Sequence, residues 1–325
     1  MRWATTCLAA IFLSVQAVLA GPPELLWPLD CVQGETCYIE DYVDAKPGKG
    51  QTDYTCGLKS RDGHRGTDIV LRDFAMMQRG VIVRAAAPGI VAARRDGVED
   101  IAITAARRTQ IKGRECGNAV RIDHGDGWQT LYCHMRQGSI EVRKGQTVAT
   151  GAPLGLVGLS GLTNIPHVHI TVLNDGQVVD PFQPTPPQGA SCGAVDQTMW
   201  AVPPAYHRAG LFTAGMTTAV PKFEDVKSGT ARAAQARPDQ PLVLYGHAFY
   251  AERGDVMTLS TTGPTGQVFN KSILLKDPQA QLFRAFGRKA PPDGWPAGPY
   301  RGIVRLERDG TLIAWRHADI EVISP

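Results

Sequence analysis

The sequence predicts an all-β protein of two domains, and three observations carry that expectation. Apolar residues recur in short runs closed by glycine or proline, the pattern of strands and tight turns. Helical spacing of apolar residues is nearly missing after the first segment. A proline-rich break follows Asp180-Pro181-Phe182 and separates two strand-rich regions, and 325 residues are enough for two cores.

The first segment is of another kind. Arg2 opens a short positive stretch, apolar residues run through Leu19, and Val18-Leu19-Ala20 is a small-residue cleavage site before Gly21. Residues 1–20 therefore read as a secretory signal peptide. The apolar part is short for a membrane span and Pro22-Pro23 follows it, so no membrane partner is expected after its removal. The expectation is an exported chain, periplasmic or extracellular. Of the seven cysteines Cys7 lies in this leader, which leaves Cys31, Cys37, Cys56, Cys116, Cys133 and Cys192. An even set in an exported chain suggests disulfides, although six cysteines allow 15 pairings. The formal net charge of +3 is too small to argue for nucleic acid.

Residues 21–54 read as an irregular extension, with loop chemistry in Pro47-Gly48-Lys49-Gly50 and with Cys31 and Cys37 stapling it to itself or to the next domain. Residues 55–185 form the first strand-rich domain. Strands are expected at 81–84 and 89–93 around a Pro-Gly turn, and at 119–123 and 128–132 around the hairpin signal His124-Gly125-Asp126-Gly127. Runs at 142–148 and 154–158 continue the pattern. Cys116 and Cys133 are equidistant from the His124-Gly125 tip, so antiparallel register opposes them and predicts a disulfide just before His134. Residues 96–115 are a polar insertion with Arg94, Arg95, Arg107, Arg108, Lys112 and Arg114 in or near it. It reads as a solvated surface loop, or as a cleft wall offering cations to carboxylates. Residues 186–217 are a proline-rich linker, and 218–325 a β-sandwich of immunoglobulin-like pattern, with strands at 241–245, 256–260, 300–306 and 312–315. The sandwich carries His247 and His317 but no ligand-like cluster, so it is expected to bind a polymer, to meet a regulatory partner, or to serve as a structural appendage.

The chemistry sits in three short stretches of the first domain: His64-Arg65-Gly66-Thr67-Asp68, Tyr132-Cys133-His134 and Pro166-His167-Val168-His169. A catalytic zinc takes three protein ligands from imidazole nitrogen and carboxylate oxygen and keeps a fourth position for water. His64, Asp68 and one of His167 and His169 would supply the three. Residues two apart on a strand share a face, so both histidines of the pair would point at the metal, with Val168 turned to the core. The other histidine and His134 would stand beside the water. His-Glu-x-x-His is missing from the sequence, which excludes the helical zinc-peptidase pattern.

The set His64-x-x-x-Asp68, His134 and His167-x-His169 resembles the signature of the lysostaphin-type (LytM-like) zinc metallopeptidases. That resemblance implies one zinc ion on His64, Asp68 and His169, with His134 and His167 catalytic. It implies a compact antiparallel sheet related to the duplicated hybrid motif, and hydrolysis of peptide bonds in peptidoglycan stem peptides or cross-links. The chain departs from the family at Asn164-Ile165, where Ser/Thr-Gly is usual, and in the 96–115 insertion. The alternative is a non-catalytic LytM-like module that activates another cell-wall hydrolase; such relatives have normally lost a site residue, and all five are here. Glycine-punctuated strands around Lys144-Gly145 also fit lipoyl-like carriers, but those are cytoplasmic and the leader argues against them. A pure adhesion module leaves the histidines unexplained.

Overall fold

The computed structural model describes residues 21–186, 189–193 and 197–323; the leader expected at 1–20 lies outside them. The first strand-rich region builds an antiparallel sheet from β1 (Cys37–Asp41), β2 (Thr67–Leu71), β4 (Gly89–Arg95), β5 (Asn118–Gly125), β6 (Trp128–Met135), β7 (Thr147–Val148), β9 (His167–Asn174) and β10 (Gln177–Val179). Their order is β1-β2-β9-β6-β5-β4-β7, with β10 paired to β9. Two further strands, β3 (Ile82–Arg84) and β8 (Pro153–Leu156), form a small second sheet. Strand periodicity separates chemistry from packing on β9. Val168, Ile170 and Val172 are buried with Ile69, Val120 and Ile122 in one core, while His167, His169 and Thr171 fall on the opposite face.

Among the described residues, helices enter only as short pieces: α1 (Phe74–Arg79), α2 (Ala105–Gln110) and α3 (Phe223–Ser228). Asp73 caps α1 by accepting from the Met76 amide, and Met76 and Met77 bury the inner side of that single turn. The 96–115 insertion is therefore not a plain loop. Thr104 caps α2 within it, and Val98 and Ile111 pin its two ends to the domain. The run expected as a strand at 142–148 contributes only β7, its polar beginning lying in turns.

The second region is a sandwich of two facing sheets. One has the order β11-β13-β16, from β11 (Gly210–Thr217), β13 (Leu242–Ala251) and β16 (Gln279–Arg288). The other runs β12-β18-β17-β14-β15, from β12 (Gln235–Ala236), β14 (Val256–Gly263), β15 (Gly266–Leu274), β17 (Gly298–Arg308) and β18 (Thr311–Val322). Leu211, Leu244, Met257, Leu259, Val304 and Leu306 fill the space between them. The sheets approach so closely at Gly302 that a Cβ there would lie 2.5 Å from Leu244 Cδ1.

Two expectations are corrected by these elements. The stretch 21–54 is not an irregular extension: it supplies β1, the edge strand beside β2, and buries Leu25 and Leu29 in the core of the first domain. The linker ends earlier than 217, because β11 already pairs with β13 from Gly210 onward. Three disulfides join Cys31 to Cys37, Cys56 to Cys192 and Cys116 to Cys133. The third pairing agrees with the hairpin argument, but the reason differs. The ladder closes at Gly125 and Trp128 and shifts twice, so Cys116 falls before β5 and reaches Cys133 by the turn at Gly117, whose φ is +62°.

Candidate metal centre

Three neighbouring strands and the loop before one of them deliver the five residues of the signature. Asp68 on β2 lies directly across from His169 on β9, and His169 lies across from Cys133 on β6, which places His134 at the end of that strand. His64 comes from the loop before β2. The glycine between the two donors lets this loop cross β9, since a Cβ on Gly66 would be 2.6 Å from His169 Nε2 and from the Ile170 carbonyl.

His64, Asp68 and His169 form a three-donor group whose ligand atoms lie within 4.8 Å of one another. His64 Nε2 is 3.2 Å from His169 Nδ1, and His169 Nδ1 is 2.7 Å from Asp68 Oδ1. The rings are oriented from behind. His64 Nδ1 faces the Tyr42 carbonyl at 2.7 Å, which can only accept, so the proton sits there and the Nε2 lone pair points inward. His169 Nε2 reaches the Thr171 hydroxyl at 2.9 Å, which leaves Nδ1 turned to the same point. Burial opposes the Asp68 carboxylate, yet its contacts with His167, His64 and His169 hold its pKa well below the usual range. Two imidazole nitrogens and a carboxylate turned to one point are a donor set that fits a dication.

His134 and His167 stand beside this group with ring centroids 4.5 Å apart. His134 Nδ1 donates to the Ser160 carbonyl at 2.8 Å, and His167 Nδ1 to the Ile165 carbonyl at 3.0 Å. Each therefore carries its lone pair on Nε2, and that of His167 lies 3.7 Å from Asp68 Oδ1. Burial lowers the pKa of both, for His134 well below the ordinary value, so both rings are neutral at pH 7. His134 has φ +61°, a left-handed backbone uncommon outside glycine. Its N–H donates to the Cys116 carbonyl at 2.8 Å and its carbonyl accepts from Gly158 at 3.0 Å, which holds that conformation.

The donors open on a cleft of two lobes that meet at Arg61. One lobe, of about 480 Å³, is lined by His64, His134, His169, Leu131 and the Cys116–Cys133 bridge. The other, of about 540 Å³, is lined by His167, Thr163, Ile165, Ile103 and Arg108, and by Tyr250 and Gln281 of the sandwich. The insertion is thus a cleft wall after all, through one cation. Arg94 donates to the Ile140 and Val142 carbonyls, Arg95 to Gly117 and Arg107 to Glu99, so it is Arg108 that lines the cleft. The unusual Asn164-Ile165 segment edges the same lobe. Sequence reasoning missed Arg61, Thr163 and Thr171. Thr163 Oγ1, 3.1 Å from His167 Nδ1, could be suspected only from its spacing to the histidine.

Residues 62–181 match the model of peptidase family M23, so this segment is an M23, LytM-like domain. Among curated proteins, the chain is 36% identical over 75 residues to the peptidoglycan DD-endopeptidase ShyA of Vibrio cholerae, covering 23% of this chain and 17% of that protein. It is 34% identical over 122 residues to the DD-carboxypeptidase/endopeptidase Mpg of Neisseria meningitidis, covering 35% and 23%. The chain thus spans less than a quarter of the length of either relative. Among solved structures, the catalytic domain of the prophage-encoded M23 protein EnpA from Enterococcus faecalis aligns at 27% identity and a TM-score of 0.28, over 43% of this chain and 85% of that one. The catalytic domain of lysostaphin from Staphylococcus simulans aligns at 22% and 0.27, over 42% and 88%.

Proposed function

We propose that this chain is an exported zinc metalloendopeptidase that hydrolyses peptide bonds in peptidoglycan stem peptides or cross-links. The observation that carries the reading is the pairing of a three-donor group with two neutral imidazoles whose Nδ1–H groups are held on backbone carbonyls, so that Nε2 is the basic nitrogen of each. His64, Asp68 and His169 would hold the ion. A zinc ion held by such donors polarises a carbonyl and makes water acidic enough, toward a pKa of ~7, to act as a nucleophile at neutral pH. His134 and His167, kept neutral by burial, are placed to take a proton at Nε2 and pass it to the departing amine. Their Nδ1–H groups stay on backbone carbonyls throughout, so each ring presents the same nitrogen at every step.

The names of the relatives, a DD-endopeptidase and a DD-carboxypeptidase/endopeptidase, support peptidoglycan peptides as the substrate class. Three disulfides suit an oxidising compartment outside the cytoplasm. No helix among the described residues is long and apolar enough to cross a membrane. Zymography on purified cell walls tests the reading: clearing is expected, lost with a chelator and restored by zinc. A zinc-loaded chain that leaves walls intact but stimulates another hydrolase would replace the peptidase with an activator.

A further inference from the structure

Arg61 precedes the metal donors by one turn of loop, and its guanidinium touches groups from three parts of the chain. Nη2 pairs with Asp68 Oδ2 and lies 3.1 Å from His64 Nε2. Nε pairs with Asp41 Oδ2 at 2.5 Å. Asp41, at the end of β1, is buried, and its second oxygen Oδ1 accepts from the Tyr250 hydroxyl at 2.5 Å. Tyr250 belongs to β13 of the sandwich and is held at φ +46°, a costly backbone for an aromatic residue. The neighbouring Gln281 makes a parallel contact from the sandwich to Glu40. Both oxygens of Asp41 are thus engaged, and Arg61 is fixed although 58% of its side chain is exposed.

We propose that Arg61 is a positioning residue for the metal centre, and that the sandwich domain sets it through Tyr250 and Asp41. The inference rests on the reading of His64, Asp68 and His169 as metal ligands. Holding Asp68 Oδ2 turns Oδ1 toward His169 Nδ1, the orientation the donor group needs. An arginine beside a dication also repels it, and the two effects oppose each other. Orientation prevails because the one guanidinium charge is already matched by two carboxylates, Asp41 and Asp68, so little uncompensated charge faces the donors.

Zinc affinity of the full chain, measured by competition with a chromogenic chelator, reads the proposal without any assay of turnover. Arg61→Ala is expected to weaken binding by about 10–100-fold, the usual loss when a ligand's supporting partner is removed. Arg61→Lys should not rescue it, since a single ammonium cannot bridge both carboxylates in the same geometry. Tyr250→Phe should weaken binding by a smaller factor. Combined with Arg61→Ala it should add nothing, because the two act through one chain of contacts. Tyr250→Phe removes only a hydroxyl, so it carries the test even where Arg61→Ala fails to fold. Zinc affinity unchanged or raised in Arg61→Ala, unchanged in Tyr250→Phe, or independently lowered in the double variant overturns the proposal. A wild-type chain that takes up no zinc overturns the ligand reading and this inference together; a tight-binding wild type with unaffected variants overturns the inference alone.

Discussion

Replacing His64, Asp68 or His169 with alanine removes one of three donors, and each variant is expected to lose bound zinc and hydrolysis together, as metal analysis would show. His134→Ala and His167→Ala should behave differently, keeping zinc while turnover falls by about 10²–10⁴-fold. Turnover near wild type with zinc present would take that histidine out of the chemistry. Asp180 gives a prediction about pH. Its carboxyl is buried, with Oδ1 accepting from the Phe182 amide at 2.9 Å, and burial pushes its pKa up to about 7. The folded state therefore binds the proton more tightly than the unfolded one, so this contribution to stability falls as pH rises from 3.8 to about 7. Asp180→Asn should flatten that part of the stability profile measured by denaturant unfolding; an unchanged slope would rule it out. The five residues that meet at the candidate centre were legible because their side-chain types and order set them apart. The groups that aim them were not. Tyr42, Ser160 and Ile165 act through their carbonyl oxygens, which every residue has, so no letter in the sequence marks them.

Among the elements, the β5–β6 hairpin has the most direct bearing on the site. Its disulfide borders the cleft, and the Cys116 carbonyl receives the His134 amide. Replacing both Cys116 and Cys133 with serine should cost roughly 2–4 kcal/mol of stability, the usual scale for a bridge of this kind. Turnover should fall as well, since the left-handed backbone of His134 loses its brace, while zinc content stays near that of the wild type. A double variant melting at the wild-type temperature would contradict this. The hairpin itself was readable from alternating residues around a glycine-rich tip. Its register was not, because the two shifts in the ladder leave no mark in the alternation of residues, and the hairpin is flanked by β4 and β9 from distant parts of the chain. Nor was β1 readable: Cys-Tyr-Ile-Glu-Asp has no clean alternation and follows a turn-rich stretch, and only pairing with β2 makes it a strand.

At the scale of the whole molecule, β1 joins the two domains. Tyr38 packs against Phe212 and Phe249 of the sandwich, its hydroxyl donates to the Phe212 carbonyl at 2.9 Å, and Arg316 reaches back to that hydroxyl at 2.9 Å. Lys59 is buried nearby, with Nζ donating to the Ile39 carbonyl at 2.6 Å and the His207 carbonyl at 2.9 Å, beneath the rings of Tyr42, Tyr206, Phe249 and Tyr250. Tyr38→Ala should cost about 3–5 kcal/mol, as large aromatic truncations in cores do. It should split a single calorimetric transition into two; one transition at the wild-type temperature would mean the domains do not rely on this contact. Two strand-rich regions were visible in the sequence, but their contact was not, since it depends on aromatic residues that look like ordinary core positions.

The separation of the metal donors along the chain also has a consequence in time. His64 and His169 meet across 105 residues, and Cys56 waits a further stretch for Cys192, 136 residues away from it. Pairings this distant form late, after the entropy of closing a long loop has been overcome. A chain emerging from its N-terminal end holds His64 and Asp68 long before it holds a third donor. Throughout that interval it has no complete site, so a nascent or partly folded chain of the proposed peptidase is silent without any inhibitor.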